Sequence, residues 1–275
     1  MCSSDLVETI ASLAPGAGIV LYLVPSLSST STLDAFAQVN SDDVVGVVNN
    51  SWGNCETEET PSNYPQMSDV LAKEGAALGI VYVAATGDNG VQQCFHYPPP
   101  PLPWGVSSPA SSPHFVAVGG TTLFVDSRGR YKIQYGWWGS GGGISARFAK
   151  PNYQSGRRIT LKNPHRSLPD IAFDADPGTG VAFYWQGKWQ GPLGGTSLAA
   201  PIFCALTAEV AGMHGKRVAN MLAALYSTYE RTGYDRAFTD VTSGFNGFYY
   251  AVPGFDRVTG IGSVDGWKFG QAASL

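Results

Sequence analysis

The chain has 275 residues, enough for one large domain or two small ones around a sizeable core. Charged residues make up only 14% of it, against about 25% in typical globular proteins, and the net charge is −4. It has no dense block of Lys and Arg and no apolar run near the ~18 residues that span a bilayer, so we expect neither a nucleic-acid nor a membrane partner.

The first third of the chain alternates amphipathic helices with short apolar strands. The predicted helices are Val7–Ala14, Leu33–Val39 and Met67–Leu78, and the predicted strands are Gly18–Val24, Val44–Asn50 and Ile80–Ala85. Continuous Val- and Ile-rich runs between helices predict a parallel sheet that is covered on both faces. Ligands bind such sheets at the carboxyl ends of the strands, here followed by residues 50–53 and 86–90.

The middle of the chain has shorter strands and more loops. We predict strands at Phe115–Val118 and Thr122–Val125, and a hairpin from Ala182–Trp185 and Lys188–Gln190. The small-residue run Gly139–Gly143 lacks the strand–loop–helix context of a phosphate-binding loop, so we do not interpret it as a nucleotide site.

The segment Gly194–Pro201 places Ser197 on a run of small residues, just before an apolar stretch typical of a helix. Small residues let a substrate backbone approach, and a helix starting here aims N–H groups at developing negative charge. A serine nucleophile needs that geometry for acyl transfer. The alternative is a Gly-rich turn in which Ser197 is only a helix N-cap.

Four cysteines stand at positions 2, 55, 94 and 204. Cys55 and Cys94 each lie in a polar loop after a strand-like segment, where neighbouring strand ends can bring them together. We predict a Cys55–Cys94 disulfide, which implies an oxidising compartment, and we place Cys204 in the core. Two free loop thiols are the alternative.

A series of short motifs between about Glu8 and Gly270 resembles the sedolisin family, serine-carboxyl peptidases with a subtilisin-like fold. Each motif is weak singly, and the resemblance depends on their order and spacing. The motifs are Ala14–Ala17, Ser51–Gly53, Ala85–Gly90, Gly139–Gly143, Leu168–Ile171, Asp176–Gly180, Gly194–Pro201 and Gly254–Asp256. The resemblance implies an α/β fold of three layers with a mostly parallel central sheet, incomplete at the N-terminus, in one partial peptidase domain over residues 1–275.

The resemblance makes Ser197 the nucleophile and Asp88 the oxyanion-hole residue. An aspartate donates a hydrogen bond only when protonated, so such a site works best in acid. A histidine, with a reference pKa of about 6.5, is then protonated, whereas a glutamate, at about 4.3, still accepts a proton. The alternative for Asp88 is an Asx-turn cap. The four histidines lie outside the motifs, and we interpret them as structural or surface residues: His96, His114, His165 and His214.

By the same resemblance, five residues line a peptide-binding cleft: Ser51, Trp52, Gly53, Thr86 and Gly87. Extended peptides bind such walls through backbone hydrogen bonds, which small residues leave accessible. Trp52 is alternatively a core aromatic residue at a strand end.

The resemblance also implies one structural Ca²⁺ ion in a subregion at residues 236–266. Asp240 and Asp256 would bind it through carboxylates, and Val241, Val252 and Gly254 through carbonyl oxygens. Ca²⁺ prefers about six to eight such oxygen ligands. The alternative is a pair of turn aspartates on a solvated loop.

The first helix departs from the family. The family's base Glu and its Asp partner lie one helical turn apart, and the matching positions here hold Cys2 and Leu6. Asp5 is one residue out of register, about 100° around the helix, and Glu8 matches a further acidic position. We hypothesise that the chain is a fragment whose residues 1–6 are not native. As written, it should lack normal peptidase activity.

The function that the resemblance implies is an acid-acting serine-type peptidase, either an endopeptidase or a tripeptidyl-peptidase, which hydrolyses peptide bonds through an acyl-enzyme. The alternative is a peptidase-like protein that binds peptides and lacks the base. The sequence contains no Gly-x-Ser-x-Gly and no His-Gly-Thr segment, which disfavours other hydrolases and a subtilisin proper. We expect a peptide or protein substrate, a monomeric secreted protein, a propeptide in the full-length protein, and no signal peptide within this fragment.

Overall fold

The computed structural model describes residues 3–57, 63–94, 104–234 and 237–275. The helices are α1 (Ser3–Leu13), α2 (Ser29–Asp42), α3 (Tyr64–Ala77), α4 (Thr196–His214), α5 (Met221–Thr232) and α6 (Gly266–Ala272). The strands are β1 (Val47–Asn50), β2 (Asn54–Cys55), β3 (Val81–Ala85), β4 (Ser107–Ser108), β5 (Phe115–Val125), β6 (Tyr131–Gly136), β7 (Gly143–Ala149), β8 (His165–Leu168), β9 (Ile171–Asp174), β10 (Val181–Trp185), β11 (Lys188–Leu193), β12 (Phe238–Thr239) and β13 (Ser263–Val264).

A five-stranded, mostly parallel sheet forms the centre of the molecule. Its order is β1–β3–β5–β6, and β9 also pairs with β5. The pairs β1–β3, β3–β5 and β5–β9 are parallel, and β6 runs antiparallel to β5. Alternate residues of β3 enter two different cores, Val81 and Val83 on one face and Tyr82 and Ala84 on the other. This period of two explains why the strand is apolar throughout.

Helices cover both faces of the sheet. Ala199 and Phe203 of α4 share the core of Val83, and α5 lies on the same face. On the other face, Phe36 of α2 and Ala72 of α3 pack with β3 and β5. The predicted three-layer α/β fold with a mostly parallel sheet is therefore confirmed.

Within the described residues, one helix, α4, is long and apolar enough by length and composition to cross a membrane. However, 61% of its apolar window is buried inside the protein. The packing of α4 against the sheet inside the protein therefore explains its apolar character.

The elements predicted in the first third are present with shifted ends, except for the strand Gly18–Val24. That segment forms no strand, and its Leu21 and Leu23 are 59% and 87% exposed. A strand needs a neighbour for its backbone hydrogen bonds, and no strand in the described ranges pairs with residues 18–24. The two strands predicted at Phe115–Val118 and Thr122–Val125 are one continuous strand, β5.

Cys55 and Cys94 form a disulfide with an S–S distance of 2.01 Å, which links β2 to the segment after β3. Cys204 is a free, buried thiol on α4.

Candidate active site

The start of α4 is fixed at the carboxyl edge of the sheet by Gly195. This residue has a φ of 94°, a left-handed conformation that favours glycine. A Cβ atom at this position would lie 2.9 Å from Asp88 Oδ2, so any larger residue would press on that carboxyl group. The Gly195 amide also donates to the carbonyl of Ala175 at 2.5 Å. The first turn of α4 is thereby held in one place.

Ser197 lies in that first turn and is 7% exposed. Its Oγ donates to the carbonyl of Ser51 at 3.1 Å, and Ser51 Oγ donates back to the Ser197 carbonyl at 2.9 Å. These two bonds join the helix to the residue that follows β1. The N-cap of α4 is Gly195, so the alternative interpretation of Ser197 as an N-cap is wrong.

Asp88 contacts the same helix terminus from the loop after β3. Its Oδ1 accepts hydrogen bonds from the Thr196 amide at 2.7 Å and from Thr196 Oγ1 at 2.9 Å. The Gly87 amide donates to Thr196 Oγ1 at 2.9 Å. Asp88 therefore satisfies an unpaired amide of α4 rather than capping its own turn. Its Oδ2 lies near Gly195, where a Cβ atom would be 2.9 Å away.

The predicted cleft residues divide into two groups. Ser51 and Gly87 contact the first turn of α4, and the buried Thr86 anchors the loop by donating from Oγ1 to the Val118 carbonyl at 3.2 Å. Trp52 stacks on Phe36, with ring centroids 6.4 Å apart, and packs against the α2 side of the core. Gly53 is exposed and lies against Ser107 of β4.

The helix on which the resemblance places the base, α1, packs directly against α4. Leu6 is half-buried on this helix, as is Glu8, and Cys2 lies outside the described residues. Asp5 is 5% exposed, and its Oδ1 has no hydrogen-bond partner. The described part of α1 thus holds an apolar residue at the matching Asp position.

Two of the described histidines make contacts away from Ser197. His114 Nδ1 lies 2.8 Å from Asp69 Oδ1, and His214 Nε2 lies 2.8 Å from the Gly270 carbonyl. His165 is on β8, and His96 lies outside the described residues.

The C-terminal loops bring Asp240 and Asp256 to one short segment. Asp240 Oδ2 accepts from the Gly254 amide at 3.1 Å, and Asp256 Oδ2 accepts from the Val252 amide at 3.2 Å. Burial raises the pKa of Asp256 to about 6 and also raises the pKa of Asp240. Asp256 additionally accepts from the amides of residues 258 and 259, as a turn aspartate does. Val241 is buried beside Asp240.

Two residues of the site were not singled out from the sequence. Thr196 is fully buried and bridges Gly87 and Asp88, and Asn49 Nδ2 donates to Ser51 Oγ at 3.0 Å. Both could have been found from the sequence, because each is a small polar residue within two positions of a residue already assigned to the site.

The subtilase family model matches residues 3–243 of the chain. Sedolisin from Pseudomonas sp. (strain 101) is 37% identical over 90% of this chain and 44% of its own length. Kumamolisin from Bacillus sp. (strain MN-32) is 33% identical over 97% of this chain and 49% of its own length. A solved structure of Pseudomonas sedolisin, a serine-carboxyl proteinase complexed with two molecules of pseudo-iodotyrostatin, matches with a TM-score of 0.88 and 36% identity.

The structural match covers 97% of this chain and 77% of the solved sedolisin chain. Against the two curated relatives, the chain spans about half of their length, 44% and 49%. The matched region includes the sheet, the first turn of α4 and the loops that meet it. The chain belongs to the subtilase family and, within it, to the sedolisins.

Proposed function

We propose that this chain carries the nucleophile, oxyanion site and peptide cleft of an acid-acting serine-type peptidase. The observation that carries the proposal is the position of Ser197 in the first turn of α4, tied to Ser51 and next to a carboxyl group that bonds to Thr196. A hydroxyl at a helix N-terminus, with small residues around it, suits attack on a peptide carbonyl.

The proposed chemistry assigns separate roles to Ser197 and Asp88. Ser197 Oγ bonds to the scissile carbonyl carbon as its proton passes to a base, which in this chain would be solvent water. The C=O π electrons move to the oxygen, and the oxyanion that forms lies by the start of α4. Its collapse breaks the C–N bond and leaves the acyl-enzyme, and the amine departs with a proton. Asp88 Oδ1 already accepts two hydrogen bonds from Thr196, so Oδ2 is the oxygen left to face the oxyanion. A hydroxyl on Oδ2 would donate to the oxyanion, whereas a bare carboxylate oxygen would not.

We also propose that the chain hydrolyses its peptide substrate only slowly. Leu6 and Cys2 stand where the family has its carboxylate pair, so no side chain at these positions takes the proton from Ser197. Loss of one member of such a set costs several orders of magnitude in rate. We therefore infer that the chain binds peptides and forms reversible adducts, which agrees with the alternative of a peptide-binding protein.

A peptide aldehyde tests these roles, because Ser197 Oγ can add to its carbonyl and form a hemiacetal. We expect the aldehyde to bind more tightly than the matching peptide alcohol, and Ser197→Ala to abolish only that difference. The measurement is calorimetric titration at pH 4 and pH 7. Equal binding of the aldehyde to Ser197→Ala would contradict the assignment of the nucleophile.

The missing base has its own test. Cys2→Glu combined with Leu6→Asp should raise hydrolysis of a peptide substrate in acid, and adding Ser197→Ala to that variant should abolish the gain. Unchanged hydrolysis in a folded double variant would show that these two positions do not supply the base.

We also propose one structural Ca²⁺ ion at the C-terminal loops. Asp240 and Asp256 both contact the segment 252–254, and burial disfavours their charged forms, so a bound cation would offset that cost. Carbonyl oxygens of Val241, Val252 and Gly254 would complete a set of hard oxygen ligands. Since the described residues contain no group of three or more His, Cys, Asp or Glu side chains, main-chain oxygens are essential to this site.

The Cys55–Cys94 disulfide supports an extracellular location, since such bonds persist in oxidising compartments. We accordingly propose a secreted, monomeric protein with a peptide or protein substrate and a propeptide in its full-length form.

A further inference from the structure

The β10–β11 hairpin exposes large aromatic side chains. Trp189 is 73% exposed, Tyr184 is 54% exposed and Trp185 is 40% exposed. Trp189 and Tyr184 contact each other edge to face, with ring centroids 5.4 Å apart and planes at 73°. Clustered exposed aromatic residues mark interaction sites more often than isolated ones do.

The strand register sets which side chains share a face of the hairpin. Tyr184 pairs directly with Trp189, and Trp185 pairs with Lys188. Because paired residues project to the same side of a two-stranded sheet, Tyr184 and Trp189 form one aromatic face. The two strands form a sheet of their own, and no other strand in the described part of the chain pairs with them.

The base of the hairpin is tied to the nucleophile helix. β11 ends at Leu193, and the next residues lead through Gly195 into α4. Before the hairpin, Thr179 Oγ1 donates to Asp174 Oδ1 at 3.0 Å, and Thr122 Oγ1 donates to Asp176 Oδ2 at 2.7 Å. Hydrogen bonds therefore anchor the segment that leads into the hairpin, and β11 leads out of it into the turn that holds Ser197.

We propose that Tyr184 and Trp189 form a distal subsite for the polypeptide that occupies the cleft, and that this subsite binds one of its aromatic or large aliphatic side chains. The proposal rests on the proposed peptidase-type cleft and names part of its substrate preference. Trp189 precedes Ser197 by eight residues. Eight extended residues span about 26 Å at most, so an extended peptide of that length reaches both Ser197 and the aromatic face.

Polypeptide is the favoured occupant because β11, which carries Trp189, leads directly into the turn that holds Ser197, where a peptide would bind. Extended peptides present alternate side chains to a cleft wall, and aromatic rings bind them with defined geometry. A second copy of this chain on the same face is a different occupant, which the test below identifies.

The experiment measures the binding of dye-labelled ten-residue peptides to the chain by fluorescence anisotropy. All peptides share one sequence of small polar residues, except for a single Phe. The position of this Phe differs from peptide to peptide and moves stepwise away from the central residue. We expect a Phe at one distal position to tighten binding about three- to tenfold. Trp189→Ala and Tyr184→Ala should lose that gain.

Two variants control for folding and for the general loss of an aromatic ring. Trp189→Phe should keep most of the gain, and Trp267→Ala, which removes a 64% exposed tryptophan from α6, should keep all of it. Analytical ultracentrifugation of the chain and of Trp189→Ala runs alongside.

The outcomes separate this proposal from the proposed function. If a peptide aldehyde binds through Ser197 but no distal Phe matters, or its gain survives Trp189→Ala, the subsite is wrong and the function stands. If no peptide binds, both are wrong. Concentration-dependent dimers that Trp189→Ala abolishes would assign the face to a second copy and overturn the proposal.

Discussion

Two aspartates lie at opposite edges of the sheet, and their carboxyl groups differ in the hydrogen bonds that they make within the protein. Asp170 precedes β9 at the amino edge and is fully buried. Its two oxygens accept from both terminal nitrogens of Arg166 at 3.0 and 2.7 Å, and also from Tyr226 Oη at 2.7 Å and the Ala117 amide at 2.8 Å. Asp88 follows β3 at the carboxyl edge and is half-buried, and its Oδ1 accepts hydrogen bonds from the Thr196 amide and hydroxyl.

The difference lies in how much hydrogen-bonding capacity each carboxyl group retains. Asp170 uses both oxygens within the protein, as a charged group must when it is taken fully out of water. Asp88 uses one oxygen to hold α4, and its other oxygen lies near Gly195, two residues before Ser197. A bound molecule can therefore interact with the second carboxyl group but not with the first.

The largest expected effect is on Asp170. Asp170→Asn leaves the Arg166 charge buried without its partner, and we expect a loss of about 3–5 kcal/mol in the free energy of unfolding. Urea denaturation measures it. Asp126→Asn is the matched control, because Asp126 pairs with Arg130 at the same four-residue spacing but at the surface, and should change little. A small loss in Asp170→Asn would show that the ion pair does not set stability.

Asp174, at the carboxyl end of β9, is a third aspartate of the sheet, and its pKa makes the stability of the fold depend on pH. Burial raises its pKa from 3.8 to about 6, so the folded chain binds a proton here that the unfolded chain releases. Stability from this group is therefore present in acid and is lost as the pH rises from about 4 to about 6, by up to about 3 kcal/mol. Asp174→Asn should flatten that decline in urea denaturation measured at pH 4, 5, 6 and 7, whereas Asp126→Asn should retain it. An unchanged slope in Asp174→Asn would contradict the assignment.

In the proposed calcium site, the bound cation would offset the free-energy cost of burying the carboxylates of Asp240 and Asp256. Removing Ca²⁺ with a chelator at pH 7 should lower the melting temperature by several degrees, since a ligand at a hundred times its Kd stabilises by about 2.7 kcal/mol. Asp240→Asn should abolish the response, and Asp126→Asn should keep it. A chelator effect of equal size in Asp240→Asn would place the ion elsewhere.

These contrasts also show what the sequence could and could not predict. The continuous apolar run of β3 and the small residues before Ser197 are local signals, and the strand and the start of α4 were predicted from them. The segment 18–24 has the composition of a strand, but strand formation depends on a partner that the segment itself does not encode. Thr196 was missed because its role comes from contacts to residues more than 100 positions away in sequence.

The smallest effect on stability, and the sharpest test of the comparison, is expected at Asp88. Asp88→Asn keeps an oxygen that can accept both hydrogen bonds from Thr196, so unfolding should change by less than about 0.5 kcal/mol. The amide N–H₂ donates at any pH, whereas a carboxyl group donates only when protonated. Binding of a peptide aldehyde at pH 7 should therefore be tighter in Asp88→Asn than in the unmodified chain. If the two bind it equally, Asp88 only anchors α4, and the donor to the oxyanion must be sought among the amides at the start of that helix.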